Sequence, residues 1–104
     1  MSPPERYALL VRAFMGRPGV TQGGRGFGAT ALRTGGRIFA MLSSRDEFVV
    51  KLPRARVDEL VAAGEGARFE PGTGRVMKEW LAMRPDSTLE WEGLAAEALA
   101  HAER

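Results

Sequence analysis

The residues of this chain best suited to chemistry are basic side chains grouped around one short segment. Lys51, Arg54 and Arg56 lie within six residues of each other, on either side of Pro53. A proline after an apolar run is typical of the junction between a strand and a helix, and the first turn of a helix has free backbone N–H groups. Such a junction can hold a phosphate or a carboxylate. The alternative is that the long side chains cover apolar surface and keep their charges in water.

The basic residues are also unevenly distributed along the chain. Seven arginines and no acidic residue occur between positions 6 and 45, whereas eight acids and five bases occur between positions 65 and 104. This segregation predicts a basic face that attracts a polyanion. A bias of the source genome towards arginine codons would explain the same pattern without any binding surface. The predicted polyanion-contacting residues are Arg25, Arg33, Arg37, Lys51, Arg54, Arg56 and Lys78.

Residues that commonly carry catalysis or hold cofactors are scarce. The chain has no cysteine and a single histidine, His101, so thiolate and multi-histidine metal sites lack their ligands. Residues 26–31 match the spacing G-x-G-x-x-A, but they follow a predicted loop and open a strand. A dinucleotide site needs a strand before this motif and a helix after it. The sequence therefore predicts a protein that is not an enzyme and binds no cofactor or metal.

Three helices are predicted, over residues 3–15, 54–63 and about 88–103. Ser2 and Glu5 have the spacing of a capping box before the first helix, and Ser87 and Glu90 have the same spacing before the third. Apolar residues follow the period of a helix in each segment, which indicates one buried face per helix.

Five strands are predicted, near residues 27–33, 37–42, 47–52, 67–70 and 75–83. Gly35-Gly36 indicates a tight hairpin, because both central residues of such a turn need positive φ. Residues 16–26 read as a loop. Ile38 alternates with Ala40 and Leu42, which predicts an antiparallel sheet with one covered face. Residues 75–83 favour helix by composition, but their length between two turns suits a returning strand, and we expect a strand.

These elements predict one domain, residues 1–104, with an α+β fold in the order α-β-β-β-α-β-β-α. Its antiparallel sheet of about five strands carries the helices on one face. No apolar run reaches the ~18–20 residues that span a membrane, and no signal-peptide pattern occurs, so we expect a cytoplasmic protein without a membrane partner. The predicted core residues are Phe14, Ile38, Phe48, Val50, Leu60 and Leu99.

Five segments carry a resemblance to a known family: GRIFAML at 36–42, VVKLP at 49–53, RVDEL at 56–60, GEG at 64–66 and GRVMKEWL at 74–81. They resemble the MmcQ/YjbR-like and TfoX N-terminal-domain group, over nearly the whole chain. The resemblance implies a two-layer α+β fold in the order α-β3-α-β2-α, similar to type III secretion chaperones, and it favours a strand at 75–83. Members of the group are commonly described as DNA-binding, and the resemblance implies no catalytic residues.

Composition and resemblance together predict a small non-enzymatic domain, nucleic-acid-binding or regulatory, that contacts the backbone of DNA or RNA weakly. No base-reading helix is visible in the sequence, so the contact should tolerate any base sequence. The alternative is a protein-interaction module of an adaptor or chaperone-like kind, with a protein partner, which the secretion-chaperone-like fold suggests.

Overall fold

The fold is a two-layer α+β arrangement in which helices cover one face of an antiparallel sheet. The computed structural model describes residues 1–23 and 30–104. Within them the helices are α1 (Pro3–Met15), α2 (Arg54–Ala62) and α3 (Trp91–Ala102). The strands are β1 (Val20–Gln22), β2 (Leu32–Thr34), β3 (Arg37–Leu42), β4 (Phe48–Lys51), β5 (Gly66–Phe69) and β6 (Met77–Met83). Their spatial order is β1-β2-β3-β4-β6-β5, and the predicted fold class is confirmed.

One hydrophobic core, here called the main core, lies between the helices and the sheet. All three helices contribute side chains to it, including Phe14 from α1, Leu60 from α2 and Leu99 from α3. Phe48 and Val50 point into it from β4, since alternate residues of a strand share a face. The predicted burial of these five residues is confirmed.

Three local predictions are confirmed in detail. Ser2 and Glu5 form the capping box of α1, with the Ser2 N–H 3.0 Å from Glu5 Oε1. Gly35 and Gly36 have φ of +56° and +80°, as a tight turn between β2 and β3 requires. Residues 77–83 form a strand, β6, between β4 and β5. Local signals for caps, turns and strands therefore operate in this chain as the sequence indicates.

The predicted capping box before α3 is wrong. The helix begins at Trp91, and no side chain caps it. Ser87 Oγ instead donates a hydrogen bond to Glu65 Oε1 at 2.7 Å and accepts one from the Leu89 N–H. Because Ser87 has a partner from a distant part of the chain, it does not cap the helix with Glu90, and α3 starts three residues later than predicted.

The predicted loop over residues 16–26 contains an additional strand. β1 pairs with β2 in antiparallel register, with Val20 opposite Thr34 and Gln22 opposite Leu32. The sheet therefore has six strands among the described residues, one more than predicted. Residues 24–29, which include Arg25, the first part of the predicted strand 27–33 and most of the G-x-G-x-x-A spacing, lie outside the described residues.

A β-bulge in β3 reverses the direction of one predicted core residue. Leu32 lies opposite Ala40, but its neighbour Arg33 lies opposite Ile38, so Phe39 is an extra residue in β3. Phe39 joins Ala40 in the main core, and Ile38 lies half-buried on the opposite face of the sheet. The predicted place of Ile38 in the main core is wrong, because strict alternation assumes that no residue is inserted.

Tyr7 of α1 gives a pH-dependent test of the contact between helix and sheet. Its buried hydroxyl donates a hydrogen bond to the backbone oxygen of Thr30 at 2.6 Å, and burial raises the pKa of Tyr7 well above its ordinary value of 10.0. Above that value the unfolded chain loses the phenol proton while the folded chain keeps it, so stability should fall as pH rises. Tyr7→Phe should cost about 1 kcal/mol at neutral pH and remove this alkaline loss.

Urea denaturation of both proteins near pH 7 and about pH 11 measures this difference. The substitution isolates Tyr7 from the other groups that titrate in alkali, because those groups are identical in the two proteins. Equal losses of stability between the two pH values would contradict the prediction.

Candidate functional site

The face of the sheet opposite the helices, here called the outer face, carries most of the candidate site. A small apolar group, here called the outer cluster, lies on it, and its buried members are Ala31, Met41, Val49, Phe69 and Ala82. Ile38 and Trp80 pack half-buried against this cluster. The outer cluster fixes the positions of the strands from which the basic side chains extend.

Two of the predicted residues carry positive charge on the outer face, from two different strands. Arg33 on β2 lies opposite Ile38, and Lys51 on β4 lies opposite Trp80, so both share a face with the outer cluster. Lys78 lies exposed on β6, two residues before Trp80, in the stretch where the register of β6 against β5 is irregular. Neighbouring strands are ~4.8 Å apart, so the backbones of β2 and β4, on either side of β3, lie about 10 Å apart.

Arg33, Lys51 and Lys78 have no acidic partner in the described part of the chain. The salt bridges there involve other basic residues, and Arg33, Lys51 and Lys78 form none. Arg33 donates its hydrogen bonds to two backbone oxygens, those of Gly23 at 2.7 Å and Gly36 at 3.3 Å. The Lys51 ammonium lies 5.7 Å from the centre of the Trp80 ring. These contacts position the charges without neutralising them.

Arg56 differs from the other predicted residues because it is neutralised. Its Nε and Nη2 donate to the two carboxylate oxygens of Glu97 at 2.9 and 3.1 Å, and its Nη1 also binds Glu59. The hydrogen bonds to Glu97, and then those to Glu59, raise the pKa of Arg56. Arg54, in contrast, is exposed at the first residue of α2 and forms no salt bridge among the described residues. Of the two arginines that follow Pro53, Arg56 is therefore neutralised by salt bridges and Arg54 is not.

A basic cleft lies where β3 begins, β4 ends and α3 ends. Its volume is about 460 Å³, and its lining includes Arg37, Ile38, Lys51, Pro53, His101 and Arg104. The bulge in β3 places Arg37 beside the helices, where its Nη1 lies 3.5 Å from the backbone oxygen of Ala102. Lys51 belongs to both the outer face and the basic cleft, so the two surfaces are continuous.

Sequence reasoning missed His101 and Arg104 as neighbours of Arg37 and Lys51. They are at least 50 residues from Lys51 along the chain, and they meet it only because α3 packs across β3 and β4. Basic residues at the C-terminal end of a helix stabilise that helix in any fold. The positions of His101 and Arg104 in the sequence alone could therefore not have indicated a binding cleft.

The described residues offer few groups for metal chemistry. In residues 1–23 and 30–104, no cluster of three or more histidine, cysteine or acidic side chains could hold a metal ion. Nor does any helix among them have the length and apolar composition needed to cross a membrane.

No protein-family model, curated protein or solved structure matches this chain. Function is therefore inferred from the charge and shape of the surface.

Proposed function

We propose that this chain is a small non-enzymatic domain that binds the phosphate backbone of DNA or RNA through its outer face. The observation that carries the proposal is a set of cations without salt bridges: Arg33 and Lys51 on the outer face, with Lys78 on β6 and Arg54 at the start of α2. Like charges held close together repel each other, and an anionic partner removes that repulsion. A nucleic-acid backbone offers phosphates to several of these cations at once.

The shape of the outer face favours backbone contact over base reading. Helices enter the major groove of DNA, but all three helices here pack on the other face of the sheet. Binding should therefore be weak, with a dissociation constant of about 10⁻⁴–10⁻⁶ M at physiological salt, and similar for unrelated base sequences. The resemblance to the MmcQ/YjbR-like and TfoX N-terminal-domain group favours the same function, and membership of that group is part of the proposal. The expected cytoplasmic location, where both nucleic acids occur, stays a prediction.

The test is the salt dependence of binding for two matched double variants. Lys51→Gln with Lys78→Gln removes two charges of the proposed contact, one on the outer face and one on β6. Arg12→Gln with Arg68→Gln removes two charges from elsewhere, since Arg12 is exposed on α1 and Arg68 pairs with Asp58 of α2. Fluorescence anisotropy with labelled duplexes and single strands of unrelated sequence, from about 50 mM salt upwards, gives the slope of log affinity against log salt.

The outer-face double variant should flatten this slope by up to about two units, because each lost phosphate contact removes about one. The control double variant should leave the slope unchanged. Equal slopes for the two variants would contradict the proposed face. If the unmodified protein binds neither duplex nor single strand at the lowest salt, nucleic-acid binding is wrong and the adaptor or chaperone-like function replaces it.

A further inference from the structure

We propose that the basic cleft is a site for a phosphomonoester, the dianionic phosphate group found on nucleotides, phosphorylated metabolites and the 5′ ends of nucleic-acid strands. The site shares Lys51 with the outer face, but binding of a phosphomonoester there does not depend on backbone contact along the sheet. Its basis is the convergence of cations from three distant parts of the chain on one concave surface: Arg37 from β3, Lys51 from β4 and Arg104 after α3.

No salt bridge among the described residues neutralises the cations of the basic cleft. Neither Arg37, Lys51 nor Arg104 forms a salt bridge among the described residues, and no acidic side chain lines the cleft. Glu103 lines a neighbouring depression to which Arg37 and Arg104 also contribute, and it forms no salt bridge with either of them. Three positive charges in one cleft without a counterion repel each other, so an anion bound between them stabilises the folded chain.

The end of α3 accounts for only part of this charge. The C-terminus of a helix carries roughly half a negative charge, distributed over its last carbonyl groups. The three full positive charges of the cleft exceed this partial negative charge several-fold. Arg37 donates a hydrogen bond to the backbone oxygen of Ala102, at the long distance of 3.5 Å. A helix-capping role would need one cation in this place, and the cleft has three.

The form of the basic cleft selects a phosphomonoester over a smaller or singly charged anion. Arginine guanidinium groups bind phosphate oxygens in pairs, and a monoester offers three terminal oxygens and nearly two negative charges at neutral pH. The volume of about 460 Å³ lies in the range of small-molecule sites. Ile38 and Pro53 form an apolar wall beside the cations, which suits the carbon portion of an ester.

The experiment titrates the full chain with inorganic phosphate, a nucleoside 5′-monophosphate and the same nucleoside without phosphate, at constant ionic strength kept with chloride. Calorimetry gives the affinity, and amide chemical shifts of Ile38 and Ala102 report the position. Phosphate and the monophosphate should bind, and the nucleoside should not. Arg37→Gln and Arg104→Gln should each weaken binding by about tenfold or more, whereas Arg12→Gln on α1 should leave it unchanged.

Two further measurements separate the source of the phosphate from the proposed backbone contact. An oligonucleotide with a 5′-phosphate that binds more tightly than its 5′-hydroxyl form assigns the basic cleft to strand ends, and equal binding of the two forms assigns it to free phosphorylated molecules. Lys78→Gln should weaken strand binding without changing phosphate binding, so each proposal can fail alone. The cleft proposal is overturned if phosphate and monophosphate bind no better than the nucleoside, or if Arg37→Gln and Arg104→Gln leave their binding unchanged.

Discussion

Replacement of Phe48 by alanine should lower the free energy of unfolding by about 3–5 kcal/mol. Phe48 is 1% exposed, and its ring stacks on Trp91 with centroids 4.5 Å apart and planes 10° apart. The ring of Tyr7 also lies beside Phe48, and the centroids of these two rings are 6.3 Å apart. The three rings join β4 to α1 and α3, so the truncation leaves a cavity that two helices border. The loss is a large fraction of the ~5–15 kcal/mol that holds a domain of this size together.

Urea denaturation followed by tryptophan fluorescence measures the effect of Phe48→Ala. Met77→Ala is the matched control, because Met77 also belongs to a strand but is 38% exposed, and it should change stability by about 0.5 kcal/mol or less. A loss for Phe48→Ala no greater than that for Met77→Ala would mean that the stacked rings are not part of the packed core.

Adding one methyl group at Gly66 should destabilise the fold by about 1–3 kcal/mol. Gly66 begins β5 and lies opposite Met83 of β6. A Cβ atom at Gly66 would overlap the backbone oxygen of Ala82 and lie 3.1 Å from a methyl carbon of Leu81. Backbone cannot move aside as a flexible side chain does, so β5 must separate from β6 to admit the methyl group.

Gly93→Ala is the control for Gly66→Ala, because it adds the same group where there is space. Gly93 lies in α3 with no atom within 4 Å of a Cβ built on it. Alanine favours a helix over glycine by roughly 0.5–1 kcal/mol, so this variant should be more stable than the unmodified chain. Thermal unfolding of both variants decides between these opposite signs, and a stabilised Gly66→Ala variant would exclude the close approach of β5 and β6.

The parts of this fold that the sequence predicted are those fixed by neighbouring residues. The capping box of α1 needs Ser2 and Glu5, three residues apart, and the turn between β2 and β3 needs Gly35-Gly36. A strand was predicted at 75–83 against the helical composition of these residues, because the turns on either side limited its length, and the structure has it at 77–83. In each case the deciding contacts lie within a few residues, where spacing carries the information.

The parts that the sequence did not predict depend on distant partners. The local sequence allows Ser87 to cap a helix, but in the structure it donates a hydrogen bond to Glu65, 22 residues away. The local sequence allows Arg56 to bind an anion, but in the structure Glu97, 41 residues away, neutralises the Arg56 guanidinium group. The bulge at Phe39 leaves the apolar pattern of β3 intact, since a phenylalanine suits either face, so nothing in the spacing indicates that a residue is inserted.

The candidate site also has a part that local sequence predicts and a part that depends on distant contacts. Strand alternation was sufficient to place Arg33 and Lys51 together on the face away from the helices, and the structure places them there. The basic cleft required the bulge, which moves Arg37, and the packing of α3, which brings His101 and Arg104. Neither can be read from local sequence, because both depend on how complete elements meet.

The pairing of β4 with β6 determines when the binding surface can exist during folding. Val49, Val50 and Lys51 of β4 lie opposite Ala82, Leu81 and Trp80 of β6. In the described chain this pairing is the one that joins the meander β1–β4 to the hairpin β5–β6. Each of those units contains mostly local contacts and can form early, whereas their joining closes a loop of about thirty residues and is slower.

Lys51 and Lys78 come from opposite sides of that junction, so no half-folded chain presents both charges on one surface. A partly folded molecule, on the ribosome or after partial denaturation, therefore lacks part of the proposed contact surface. If a polyanion binds the complete surface as proposed, its binding and the joining of the two units stabilise each other.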